Sequence, residues 1–110
     1  MNRLVKRADF LAAAKGARVN TAPFLLQAKR REDEKTFRVG FTVTKQTGNA
    51  VERNRIRRRL RAAARAVLPQ GAQTGFDYVL VARRPALTAE YRNLLENLEH
   101  SLTKIHKGRR

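Results

Sequence analysis

Cysteine is absent from the 110 residues, which excludes a disulfide framework, a thiolate metal site and a cysteine nucleophile, and fits a reducing compartment. No apolar run approaches the roughly 20 residues that a membrane-spanning helix needs. The opening Met1-Asn2-Arg3-Leu4-Val5-Lys6-Arg7 turns charged before a signal-peptide core could form, so the expected location is the cytoplasm. Acids are scarce, nine against 25 Lys and Arg, and the formal charge is +16. A chain this short and this positive repels itself, and a polyanionic partner is the natural explanation. Histidine is almost missing too: His100 and His106 stand without an acid–histidine ligand cluster and read as surface or packing residues. Asp9, Glu52 and Asp77 show no paired-carboxylate spacing. Nothing in this inventory can activate water, and no metal site is expected in the protein.

What is present is a core. Hydrophobic residues make up 42% of the chain, enough for one compact domain over residues 1–110, with no repeat or linker. Residues 7–17 predict a short helix with Phe10, Leu11 and Ala14 on one side and Gly16 as its stop. A strand follows over Phe24–Ala28, with a short one at Arg18–Asn20 before it. After the Glu32-Asp33-Glu34 turn, the chain returns through Phe37–Thr44. That strand alternates: Phe37, Val39, Phe41 and Val43 face the core. Arg38, Gly40, Thr42 and Thr44 form a small, polar face suited to the floor of a groove.

Asn49 with Glu52 three residues later predicts an N-cap and capping box, so a helix starts at Ala50. It runs to about Val67, where Pro69 and the Gly71/Gly75 loop stop it. Tyr78–Ala82 is an apolar run typical of a central strand, and Thr88 caps a last helix carrying Tyr91, Leu94, Leu95, Leu98, Leu102 and Ile105, with Gly108 at its end. The order α-β-β-β-α-β-α predicts an α+β domain, one sheet of about four strands with three helices.

The second helix is the informative one, with six arginines within the nine residues Arg53 to Arg61. With Ile56 at zero on a helical wheel, Leu60, Ala63 and Val67 fall within about 40° of it, a buried stripe. Asn54, Arg57, Arg58, Arg61 and Arg65 fall at about 100° to 200°, while Arg53, Arg55 and Arg59 flank the stripe. A merely solvated face would carry compensating acids, and none follows Glu52 in this helix. The pairs Arg53/Arg57, Arg57/Arg61 and Arg61/Arg65 each cost a few tenths of a kcal/mol, so the missing anion is expected from a ligand, a nucleic acid. The helix start at Gly48-Asn49, with Lys45 just upstream, offers further backbone donors for an anion. A membrane surface does not fit, because the apolar stripe is mostly alanine.

Lys45, Gly48, Asn49, Ala50, Val51, Arg53, Asn54, Arg55, Arg57 and Arg58, on a helix after a strand, form a run that resembles the signature of the protein subunit of bacterial ribonuclease P. The opening Lys6-Arg7-x-Asp9-Phe10 and the Asp77-Tyr78 strand entry agree, and the resemblance covers roughly residues 3 to 105. It implies a sandwich of the ribosomal-protein type, with a left-handed β-α-β crossover made by the arginine helix, against the usual right-handed rule. It also implies a partner, the catalytic RNA, which removes the 5′ leader of precursor tRNA with Mg²⁺ held mainly by that RNA. The protein itself would be a monomer outside the ribonucleoprotein. RNA contacts are expected at Lys45, Asn49, Arg53, Asn54, Arg55, Arg57, Arg58, Arg61 and Arg65, and at Lys6 and Arg7. The family's leader cleft lies between the first helix and the sheet, and strand alternation places Phe10, Leu25, Gln27 and Thr42 along it, with Arg53 at the edge. Phe10 either stacks on a base or anchors the helix to the sheet. The family often has a second aromatic where this chain has Ala14, an aromatic where it has Gln27, and a second lysine where it has Gln46. The competing reading is a ribosomal or other structural RNA-binding protein with no part in hydrolysis.

Overall fold

The computed structural model describes residues 1–107, and the expected helix stop at Gly108 lies outside them. In chain order the elements are β1 (Asn2–Arg3), α1 (Arg7–Ala14), β2 (Ala17–Asn20), β3 (Phe24–Arg30), β4 (Arg38–Thr42), α2 (Ala50–Gly71), β5 (Phe76–Ala82) and α3 (Tyr91–Lys107). The sheet is mixed, in the order β1-β4-β5-β3-β2. β1 pairs parallel with β4 and β4 parallel with β5, whereas β3 runs antiparallel to both β5 and β2. The β4-α2-β5 crossover therefore carries the arginine helix directly between two central strands. As the sequence predicts, the class is α+β with three α-helices, but five strands replace the expected four. The extra one, β1, has two exposed residues and no periodicity; only its pairing of Asn2 with Arg38 and Arg3 with Val39 defines it.

Helices cover both faces. On one, α2 and α3 bury Ile56, Leu60, Ala63, Val67, Leu94, Leu98 and Leu102 against Phe24, Leu26, Val39, Tyr78 and Leu80 of the sheet. On the other lies a small second core of Leu4, Ala13 and Val79, with Phe10 and Val81 partly buried beside it. That corrects the expectation of a purely polar groove floor on the Gly40 face. The reason is local. A Cβ on Gly40 would sit 2.6 Å from the Phe10 ring and 3.1 Å from the Leu4 Cβ, so the bare backbone admits an aromatic from α1. At the other end of α1, a Cβ on Gly16 would lie 2.1 Å from the Ala28 carbonyl oxygen, so α1 stops at Ala14 rather than residue 17 and the chain turns into β2.

Several further boundaries differ from expectation. Strands β3 and β5 extend to Arg30 and back to Phe76, while β4 is shorter than residues 37–44. Helix α2 passes Pro69 and ends at Gly71, because Pro69 falls in the last turn, where its missing N–H costs a single bond and Ala72 N–H still closes on Leu68 O at 2.8 Å. Thr88 does not cap α3: it ends a 3₁₀ turn over Arg84–Leu87, its N–H on Pro85 O at 3.3 Å, and α3 begins at Tyr91. No helix among the described residues is long and apolar enough to cross a membrane.

Candidate nucleic-acid interface

Helix α2 begins as its sequence dictates. Asn49 Oδ1 accepts from Glu52 N–H at 2.9 Å, and Glu52 Oε1 accepts from Asn49 N–H at 3.0 Å, a complete capping box. Arg84 donates to the same carboxylate at 2.9 Å and to Thr47 O at 3.0 Å. That contact, ahead of the hydrogen bond to Asn49, holds the Glu52 carboxyl below the usual carboxylate range. The positive end of the α2 dipole thus has an internal anion already, and the anion grip moves down the helix.

There the wheel is realised. Ile56, Leu60, Ala63 and Val67 are buried, joined by Ala64 and Leu68. Asn54, Arg55, Arg58 and Arg65 are exposed, and Arg53, Arg57 and Arg61 are half-buried. Arg57 donates to Asn54 Oδ1 at 3.3 Å, which pre-orients its fork, and Arg53 Nε reaches back to Asn49 O at 3.4 Å. Arg59 is different: it donates to Ala86 O at 2.6 Å and to Ala89 O, tying α2 to the segment that leads into α3.

Arg57 and Arg61 line a cavity of ≈ 500 Å³ together with Arg3, Leu4, Val5, Phe10, Val39, Gly40 and Phe41. A smaller hollow of ≈ 110 Å³, lined by Met1, Arg3, Phe41, Arg61 and Arg65, shares three of those residues and continues the groove along α2. Arg61 Nε is buried there with no hydrogen-bond partner among the described residues. A buried donor left unmade costs on the order of 1–3 kcal/mol, so this N–H would gain from any acceptor that a movement of the side chain brings to it. Four arginines and two aromatic rings converge here beside the bare backbone of Gly40, an arrangement chemically able to meet phosphates with its guanidinium groups and bases with its rings.

The expected residues divide into groups. Phe10, Arg57, Arg61 and Arg65 meet in this groove. Leu25, Gln27 and Thr42 share the α1-facing side of the sheet, since Thr42 pairs with Val81 and Val81 with Leu25, while Gly40 pairs with Val79 and Val79 with Gln27. None of those three lines the cavity; Leu25 and Gln27 are buried and Thr42 is half-buried. Lys6 and Arg7 are exposed at the start of α1, and Lys45 is exposed in the 3₁₀ turn Lys45–Thr47 ahead of α2. Asn49 is exposed but spends its Oδ1 on the cap. Sequence reasoning missed Arg3 and Phe41 as groove residues. Arg3 sits on a strand with no readable period. Phe41 lies on the core-facing side of β4, and only the position of α2 leaves its edge open.

The wall made by α1 is fixed by charge. Asp77, 3% exposed, accepts from Arg31 at 2.6 Å and from Arg38 Nε and Nη2 at 2.8 and 2.7 Å, and Arg38 Nη1 lies 3.5 Å from Asp9 on α1. Asp9 and Asp77 are thereby brought to one arginine, which stands between them. Among the described residues no three His, Asp or Glu side chains are grouped to hold a metal ion.

A family model described as Ribonuclease P matches residues 1–106. The Ribonuclease P protein component of Caulobacter vibrioides is 47% identical over 104 residues, covering 94% of this chain and 70% of that protein. The component from Ruegeria pomeroyi is also 47% identical, over 107 residues covering 94% and 85%. Among solved structures, the Staphylococcus aureus RNase P protein superposes with a TM-score of 0.79 at 32% identity, covering 97% of this chain and 96% of that one. The protein from Thermotoga maritima, at 24% identity, shares the fold with the same TM-score of 0.79.

Proposed function

This chain belongs to the ribonuclease P protein family, and from that premise we propose how it works within the complex. It is a protein subunit of the ribonucleoprotein endonuclease that matures the 5′ end of tRNA, and its partner is the ribonuclease P RNA. The reading as a ribosomal-type module drops out. The finer assignment is ours: α2 docks on the RNA subunit through Asn54, Arg55, Arg58 and Arg65, with Lys45 and Asn49 at its start. The single-stranded 5′ leader of precursor tRNA runs over the α1 side, between Phe10 and the sheet row of Leu25, Gln27 and Thr42, with Arg53, Arg57 and Arg61 along one wall and Lys6 and Arg7 on α1. The observation that carries this is the groove in which Arg57, Arg61, Arg3, Phe10 and Phe41 converge around an unsatisfied guanidinium N–H.

The chain's part in the reaction is placement. Guanidinium groups fix the backbone of a bound strand, the Phe10 ring gives a base a face to rest on, and no side chain is asked to move a proton. Mg²⁺ belongs to the RNA in this reading. The residues here do not fit the ion: Asp9 and Asp77 are held by Arg38, and Glu52 by Arg84, so the carboxylates near the basic face are already paired with cations. The protein acts as a monomer apart from the ribonucleoprotein, in the cytoplasm. Reconstitution tests the proposal. Added to ribonuclease P RNA, the protein should restore cleavage of a leader-bearing precursor at low Mg²⁺, where the RNA alone is slow. Absence of stimulation at every Mg²⁺ concentration would refute it.

A further inference from the structure

A hollow of ≈ 460 Å³ opens on the other flank of α2, lined by Val51, Glu52, Arg55, Arg59, Leu87 and Thr88. On the wheel that sets Ile56 at zero, Arg57 and Arg61 of the groove stand at about 100° and 140°, whereas Val51, Arg55 and Arg59 stand at about 220°, 260° and 300°. The ridge of Asn54, Arg58 and Arg65 separates the two, so groove and hollow lie across a helix roughly 10 Å in diameter. Val51 is the telling residue. It belongs to the ten-position run, its side chain is branched and apolar, and it is 78% exposed, so core packing does not account for it. Leu87, half-buried at the end of the 3₁₀ turn, adds a second apolar side chain to the hollow.

The polar groups complete a shape that suits one nucleotide. Arg59 donates to Ala86 O and Ala89 O. Hydrogen bonds to a guanidinium lie in its plane, so these two engage its edge and leave its flat faces to stack. Arg55 is exposed and makes no hydrogen bond or ion pair among the described residues. The one acid, Glu52, is already held by Arg84 and by the cap, so an incoming anion meets two cations and no free carboxylate. Thr88 brings an exposed hydroxyl. The volume lies within the roughly 300–1,000 Å³ of sites that enclose a small ligand. A base inside a duplex offers no face to enter such a hollow, whereas an unpaired base does. We propose that the hollow receives one unpaired nucleotide of the RNA subunit, with its base between the Arg59 plane and the side chains of Val51 and Leu87, and its phosphate on Arg55. Helix α2 is then a wedge with an RNA strand on each flank, not a one-sided grip. This rests on the reading above that α2 docks on the RNA subunit.

The lack of cysteine in the chain makes a site-specific test possible. Val51→Cys carrying a photoreactive aryl azide, in holoenzyme reconstituted with ribonuclease P RNA, should cross-link to an unpaired nucleotide of that RNA. Two further variants keep the charge. Val51→Ala should weaken binding of the RNA subunit roughly fivefold and Arg59→Lys roughly tenfold, as loss of a stacking contact does. The salt slope of that binding should not change, because no phosphate contact is removed. Arg59→Lys also loosens the tie to Ala86 and Ala89, so Val51→Ala, at an exposed position, is the variant that separates binding from folding. Arg58→Ala, on the ridge, is the control and should lower the slope by about 0.7 to 0.9. Normal RNA-subunit affinity in Val51→Ala overturns the hollow, as do cross-links that are absent or confined to base-paired nucleotides or the leader. Normal affinity and slope in Arg58→Ala as well would instead overturn the docking of α2 itself.

Discussion

Arg61 shows how one side chain can be assigned by what it fails to satisfy. It is half-buried on α2, it lines the groove, and its Nε is buried without a hydrogen-bond partner among the described residues. Arg61→Ala should lower the salt slope of RNA binding by roughly 0.7 to 0.9 per lost phosphate contact, read from affinities over a salt series. An unchanged slope would mean that the guanidinium faces only protein and water. Phe10 plays two parts at once, because its ring fills the space over Gly40 while also lining the groove. Phe10→Leu keeps the packing and removes the stacking face. We expect leader affinity to fall by about 1–3 kcal/mol with the thermal midpoint nearly unchanged; a large drop in midpoint with normal leader affinity would make Phe10 purely an anchor. Tyr78 carries the clearest pH signature. Its hydroxyl accepts from Gln73 N–H at 2.9 Å and lies 2.7 Å from His106 Nε2, and burial pushes its pKa from 10.0 up to about 12. The folded state thus keeps a proton that the unfolded state gives up. The stabilisation is fully present below pH 10 and is lost as pH rises towards 12. In a Tyr91→Phe background, phenolate absorbance should appear only near the upper value while the protein stays folded.

Between elements, two devices set the geometry of the interface. The capping box fixes where α2 starts and so which arginines face the groove. Asn49→Ala should cost roughly 0.5–2 kcal/mol in denaturant unfolding and weaken RNA binding chiefly through fraying of the first turn. Arg38 braces α1 against the sheet through Asp9 and Asp77. Asp9→Asn removes the outer half of that brace and leaves the buried half intact. The expected result is near-normal stability with weaker leader affinity and unchanged affinity for the RNA subunit. Equal loss for both ligands would show that the brace does not act on α1 alone.

For the molecule as a whole, a formal charge of +16 is packed into a radius of gyration of 13.0 Å. Self-repulsion and RNA attraction are two faces of that charge, and salt moves them in opposite directions. The free protein should gain thermal stability as salt rises while its affinity for RNA falls. Saturation with the RNA subunit should raise stability beyond what salt achieves, by about 2.7 kcal/mol at a hundredfold excess over Kd. A free protein destabilised by moderate salt would place the excess charge in internal ion pairs, contrary to the exposed arginines of α2.

Much of this was legible in the chain. The spacing of Ile56, Leu60, Ala63 and Val67 orients α2 without reference to any neighbour, and Asn49 with Glu52 fixes its first residue, because both signals are local and act within one or two turns. The alternation of β4 likewise separates Val39 from Gly40. The ten-position run from Lys45 to Arg58 carries the family. Other features exist only in three dimensions. Two residues became β1 because β4 offered an edge, and Gly40 became a seat for Phe10 because α1 crosses at that point. Arg59, a flanking position on the wheel, became a structural tie once Ala86 and Ala89 presented their carbonyls. Sequence pattern fixes which side of each element is apolar, since that follows from helical and strand periods. Which cations are left over for a ligand depends on which carboxylates and carbonyls the fold brings within about 3 Å of them, and only tertiary structure decides that.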